Sequence, residues 1–252
     1  MEYRYIVDWL SKYSIESKTK SFVIGVSGGI DSAVTSTLAV QSGITTYCLL
    51  MPIHQNPEHT NRGKEHIKWL KKKYNNVVEL TFDLTEAYES LKSTFSPYVT
   101  DLSLANTRAR LRMTTLYNIA QMQEGLVVGT GNKVEDFGVG FYTKYGDGGV
   151  DISPIADLMK SEVYAIGKEL GIIDSIIQAT PTDGLFGDSR SDEDQLGATY
   201  DELEWAMNNS EGLDQDPFKY SIRELEVLNI YRILNKKNRH KMQPIPVCIN
   251  NN

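Results

Sequence analysis

Six residues near the start of the chain have the types and spacing to hold a polyphosphate: Ser27, Gly28, Gly29, Ile30, Asp31 and Ser32. They follow a short apolar run at 21–26 and precede a segment of helical character, so the loop opens a helix at a strand end. Unpaired N–H groups and the helix dipole favour an anion at such a place. Glycines let the backbone approach phosphate oxygens, and Ser27 and Ser32 add hydroxyl donors. Asp31 would repel a bare phosphate; it fits if a Mg2+ ion bridges it to the phosphates. The pattern is neither G-x-x-x-x-G-K-[ST] nor G-x-G-x-x-G, so kinase-like and hydride-transfer readings lose their fingerprint. A plain helix-capping turn is the alternative. Gly-Gly alone would favour that turn, but the full motif after an apolar strand favours phosphate.

The elements that must position this loop follow an alternating pattern. Residues 4–14 place Ile6, Leu10 and Tyr13 near helical spacing. Strands are expected at 21–26, 45–51, 77–82 and 126–130. Helices are expected at 31–41, stopped by Gly43, at 58–73, at 86–93, and at 101–123, stopped by Gly125. Ala109, Met113, Leu116 and Ala120 form one apolar stripe on the last of these. Strands alternating with helices predict an α/β fold: a Rossmann-like parallel sheet with helices on both faces. Beyond a stretch rich in glycine and charge at 131–151, helices are expected at 160–170, 192–208 and 219–238. The chain therefore reads as one domain over 1–252, with an α/β nucleotide-binding core to about residue 155 and a helical C-terminal part from about 156.

Composition narrows the function. A net charge of −7 over 252 residues weighs against a general nucleic-acid binder. Cys48 sits in an apolar run and reads as a small buried hydrophobe, and Cys48 and Cys248 form no CxxC pair. No apolar run reaches membrane-spanning length and no signal peptide is apparent, so a soluble, cytoplasmic protein without membrane partners is expected. His54, His59 and His66 lack a metal-like pattern and read as surface or loop residues.

The phosphate loop resembles that of the N-type ATP pyrophosphatases, which have an adenine nucleotide alpha hydrolase-like fold and adenylylate their acceptors. Further blocks look like the signature of the NAD synthetase family. These are 129–135 (Gly-Thr-Gly-Asn-Lys-Val-Glu), 140–151 (Gly-Phe-Tyr-Thr-Lys-Tyr-Gly-Asp-Gly-Gly-Val-Asp), 153–160, 180–182, 192–197 and His240-Lys241. The resemblance runs from about residue 21 to 245. It implies that Gly25, Val26, Ser27, Gly28, Gly29, Ile30, Asp31 and Ser32 cradle ATP phosphates, with Thr130, Lys160 and Thr182 as further ATP contacts. Asp31 and Glu135 would hold Mg2+. Arg110, Lys144, Asp151, His240 and Lys241 would contact deamido-NAD, some of them across a homodimer interface.

Elementary chemistry agrees with several of these assignments. Mg2+ takes one or two carboxylates plus phosphate and water oxygens, and Asp31 and Glu135 both follow strand C-termini, the ligand edge of such sheets. Lys160 can neutralise charge on departing pyrophosphate. Arg108 and Arg112 share a helix face and Arg110 lies roughly opposite, so the three cannot all serve one ligand. Phe141, Tyr142 and Tyr145 read either as core aromatics or as rings that stack on a ligand. Two departures from the family pattern stand out. Leu50, two residues before Pro52, occupies the place where many relatives have an arginine, and residues 136–139 look one residue longer than in some relatives.

The expected reaction is amidation of deamido-NAD by free ammonia through an adenylate, releasing AMP and pyrophosphate. Asp31 and Lys160 would serve the chemistry, and Asp147 and Asp151 are candidates to bind ammonium and take its proton. The alternatives are an enzyme of the same superfamily with another acceptor, and a nucleotide-binding module without turnover. Residues 183–195, with two glycines and an apolar pair, Leu185 and Phe186, are expected to form a mobile lid.

Overall fold

The structure is a computed structural model that describes residues 3–182, 191–210 and 219–250. The expected alternation is present. Helix α1 (Arg4–Ser17) leads into β1 (Ser21–Gly25), α2 (Ile30–Gln41), β2 (Thr45–Leu50), α3 (Pro57–Lys73), β3 (Val77–Thr81), α4 (Thr85–Phe95), α5 (Asp101–Met122) and β4 (Gly125–Val127). Among the described residues the four strands form one sheet in the order β3-β2-β1-β4, and every pairing is parallel. No helix among these residues is long and apolar enough to cross a membrane.

Alternation of side chains along the strands explains the two-faced packing. Phe22 and Ile24 of β1 face α1 and α2, where Leu10, Val34 and Leu38 are fully buried. Val23 faces the other way, against Met113, Leu116 and Ile119 of α5. Cys48 and Leu50 of β2 pack on Ile67 and Leu70 of α3. Cys48 is therefore the buried hydrophobe expected from its run, and burial pushes its thiol up to about 12. Leu50 is a core residue, closed off from ligand.

The second half departs from expectation in several places. The fourth strand ends at Val127; Val128 still donates to Val23 O of β1 and forms a parallel bridge with Ile152. Gly125 does not terminate α5; the turn residue is Glu124, at φ +49, and Gly125 opens β4. Its lack of a side chain is needed there, since an added Cβ would lie 2.3 Å from Ser21 Oγ. A π-helical turn runs over Val134–Val139. Its closing bond runs from Gly140 N–H to Glu135 O, five residues back. Helix α6 (Lys160–Leu170) and the short α7 (Asp174–Ile177) pack on α2. The helix expected at 192–208 is two, α8 (Asp192–Leu196) and α9 (Tyr200–Asn209), because Gly197 at φ +78 ends the first. Helix α10 (Ile222–Met242) packs with α9 on the π-helical turn through Leu203, Val227 and Leu228. Of the expected lid, 183–190 lie outside the described residues; 191–195 cap and begin α8.

His66 is fully buried between α2 and α3, contrary to the surface placement. The apolar run of α3 at Ile67 and Leu70 could have signalled this, since His66 lies on the same face. Its Nε2 is 2.9 Å from Ser36 Oγ and its ring stacks on Trp69. Burial lowers its pKa from 6.5 to about 4. Between these values the unfolded chain binds the proton and the folded one does not, so stability is complete above the upper value and falls as pH drops toward the lower. The loss reaches about 2 kcal/mol near pH 5. Denaturant unfolding of the wild type and of His66→Gln, at about pH 7 and about pH 5, should show the wild type losing about 2 kcal/mol more than the variant. An equal loss in both would show that His66 does not resist protonation.

Candidate active site

Helix α2 starts at the phosphate loop with Gly29 as its N-cap and no side-chain cap, so its first N–H groups are left for another acceptor. Within the loop, Gly29 N–H donates to Ser27 Oγ (3.2 Å) and Ser27 N–H to Ser32 Oγ (3.2 Å). The loop lines a cavity of about 270 Å³ at the C-terminal edge of the sheet. Gly25, Val26, Ser27, Gly29, Ile30, Asp31 and Ser32 line it, as do Thr130, Glu135, Lys160 and Thr182. Gly28 instead turns against α3.

Three charged groups from distant parts of the chain meet beside the loop. Lys160, the first residue of α6, donates to Asp31 Oδ2 at 2.6 Å and to Glu135 Oε1 at 3.1 Å. The lysine side chain is 4% exposed. Burial opposes its charge, but the two carboxylates outweigh that, so its pKa is raised and it stays protonated. Burial raises the Asp31 carboxyl and the Lys160 ammonium draws it back. Buried Asn132 fixes both acids: its Nδ2 donates to Asp31 Oδ1 (3.1 Å), and its Oδ1 accepts from Glu135 N–H (3.1 Å). Two carboxylates that share one cation this closely suit a divalent ion completed by phosphate and water oxygens. Among the described residues no three metal-ligating side chains gather into a full protein cage.

Tyr200 belongs to this cluster and had no role in the sequence reading. The Tyr200 hydroxyl donates to Glu135 Oε1 at 2.6 Å, with Asp192 Oδ2 3.4 Å away, and Lys160 Nζ sits 4.6 Å from its ring centre. Tyr200 opens a capped helix, and that cap was its one sequence signal.

A smaller cavity of about 160 Å³ adjoins the first, and Gly129, Gly131, Asp136, Tyr142, Asp147 and Val150 line both. Asp147 is accessible from the cavities, yet surrounding protein pushes its carboxyl up to about 6. Burial, then Glu135 and Asp147, push Asp136 to about 8. Tyr142 lines both cavities and Phe141 the larger, whereas Tyr145 is exposed.

Of the remaining assigned residues, Arg110, Lys144 and His240 line neither cavity. Lys241 lines the smaller cavity and donates to Gly140 O and Tyr142 O. Lys144 Nζ donates to His240 O, and Arg110 to Lys144 O. The structure does not bring Asp151 into either cavity. Its oxygens accept from Tyr117 O–H (3.0 Å) and Val127 N–H (2.8 Å). The arginine face reading holds: Arg108 lies over the Tyr88 ring, Arg112 donates to Met51 O and to Gln55 Oε1, and Arg110 points elsewhere. Arg112 thus brings a cation to the end of β2, next to Leu50.

A parallel sheet with a Ser-Gly-Gly loop at its edge is the adenine nucleotide alpha hydrolase-like fold of the solved NAD synthetases. Residues 2–245 match the model of the NAD synthase family, and the chain belongs to that family. It is 35% identical over 223 residues to the NH(3)-dependent NAD(+) synthetase of Finegoldia magna, covering 88% of this chain and 90% of that one. Among solved structures it resembles the NMN synthetase of Francisella tularensis (TM-score 0.84, 33% identity, 98% and 96% of the two chains). It also resembles the NH3-dependent NAD synthetase of Campylobacter jejuni (TM-score 0.79, 25% identity, 99% and 100%).

Proposed function

We propose that the chain is an ammonia-dependent NAD synthetase that amidates deamido-NAD through an adenylate and releases AMP and pyrophosphate. The observation that carries this reading is the buried Lys160 ammonium between Asp31 and Glu135, beside an uncapped phosphate loop. The nicotinate carboxylate attacks the α-phosphorus of ATP, and pyrophosphate leaves into the loop. Lys160 stabilises the charge that grows there, and Thr130 and Thr182 hold the nucleotide. Asp31 and Glu135 would hold Mg2+, which when bound neutralises phosphate charge. Ammonia then attacks the adenylate carbonyl and AMP leaves. Asp147, between the two cavities, binds the incoming ammonium and takes its proton. Asp151, engaged with Tyr117 and Val127, positions the 147–151 stretch. No covalent enzyme intermediate is needed, so catalysis rests on positioning and electrostatics.

Lys241 lines the smaller cavity, Arg110, Lys144 and His240 are linked to one another by hydrogen bonds, and all four are assigned to the acceptor. One observation favours a second acceptor of the same chemistry, nicotinate mononucleotide: the likeness to a structure named for NMN synthesis. Incubation with ATP, ammonia and either acceptor decides between them. Deamido-NAD should yield AMP, pyrophosphate and NAD in equal amounts. Turnover with the mononucleotide alone would move the assignment to that acceptor, and release of ADP and phosphate would refute adenylylation.

A homodimer is proposed with this function. Tyr98, Leu102, Tyr117 and Met122 leave apolar surface exposed on and beside α5, the element that also carries Arg110. Light scattering at micromolar concentration should give about twice the 28.4 kDa of one chain. An active monomer would contradict this assembly.

A further inference from the structure

The larger cavity must accept a polyphosphate, yet five carboxylates line it: Asp31, Glu135, Asp136, Asp147 and Asp192. Three long cations line it with them: Lys160, Arg112 and Arg62. Lys160 faces Asp31 and Glu135, and Arg112 is bonded to Met51 O and Gln55 Oε1 at the far end of β2. The phosphate loop itself contains no lysine or arginine. Its own donors are neutral N–H and hydroxyl groups.

Arg62, on α3, is placed against the Gly28 turn of this loop. Its Nε donates to Gly28 O at 3.3 Å. The side chain is half-buried, and among the described residues its two terminal nitrogens have no protein partner. Close backbone packing fixes the register. Gly28 stands at φ +86, and a Cβ there would lie 2.4 Å from His59 O and 3.2 Å from Arg62 Cβ. Helix α3 therefore presses its His59–Arg62 turn directly on the loop, and Arg62 is held there by one nitrogen while two others remain to donate. A guanidinium fork bound along one edge and open along the other matches two oxygens of a phosphate chain.

We propose that Arg62 is a further ATP-binding residue, contacting the β- and γ-phosphates and hence the departing pyrophosphate. The inference rests on the reading of this cavity as an ATP site. It assigns to α3 the full positive charge that the loop lacks. The competing role is a clamp, in which Arg62 only ties α3 to Gly28 O.

Calorimetric titration of the full chain in the presence of Mg2+ separates the two, using α,β-methylene-ATP, inorganic pyrophosphate and AMP as probes. Arg62→Met should weaken binding of the analogue and of pyrophosphate about tenfold or more, because each loses a charge-assisted contact. AMP, which lacks the β- and γ-phosphates, should bind within about twofold of wild type, and Arg62→Lys should recover part of the loss. Arg62→Gln, with the same expected losses, replaces Arg62→Met if that variant does not fold. Analogue and pyrophosphate affinities within about twofold of wild type, or an equal loss for AMP, would overturn the proposal in favour of the clamp. A wild-type protein that does not bind the analogue would overturn the ATP reading itself, and this inference with it.

Discussion

A protonated lysine almost sealed from water is tolerated only where its partners are already in place. Lys160 is such a group, and the architecture around it can be read as what is needed to supply those partners. Asp31 comes from the first turn of α2, Glu135 from the π-helical turn and Lys160 from the start of α6. The parallel sheet brings the first two to one edge, because the chain leaves both β1 and β4 at their C-terminal ends there. Asn132 and Tyr200 then set the two acids at fixed angles to the ammonium.

The arrangement has a functional logic that follows from charge. A site lined by five carboxylates would reject ATP unless cations balance them, and the chain as a whole is acidic. Pairing Asp31 and Glu135 on Lys160 aligns the acids before any ligand arrives. Preorganised charge of this kind stabilises a developing pyrophosphate without further rearrangement. The smaller cavity adjoins the cavity at the phosphate loop, and Asp147 lines both.

Much of this was legible in the sequence where chemistry is local. The phosphate loop announces itself by glycines, hydroxyls and a misplaced aspartate within six residues, and the strand–helix alternation follows from apolar runs and turn residues. What was not legible depends on three-dimensional juxtaposition. Tyr200 begins an ordinary capped helix, and nothing local says that its hydroxyl reaches Glu135, 65 residues earlier. Arg62 and His66 sit in a helix whose charge suggests a solvated surface, yet one touches the phosphate loop and the other is buried. Asp151 shows the converse: it stands in a family block, but here both its oxygens are engaged with Tyr117 and the backbone at Val127.

The central claim is that the Lys160–Asp31 contact is a real energetic coupling in the ligand-free protein. A double-mutant cycle tests it, using Lys160→Met, Asp31→Asn and the double variant, with unfolding free energies from denaturant titration at neutral pH. Lys160→Met leaves Asp31 and Glu135 without their shared cation, Asp31→Asn leaves Lys160 with Glu135 alone, and the double change removes the Lys160–Asp31 pair together. The account predicts a coupling of about 1.5 kcal/mol or more, with the double variant less destabilised than the sum of the singles. Additive losses, agreeing within about 0.5 kcal/mol, would contradict it.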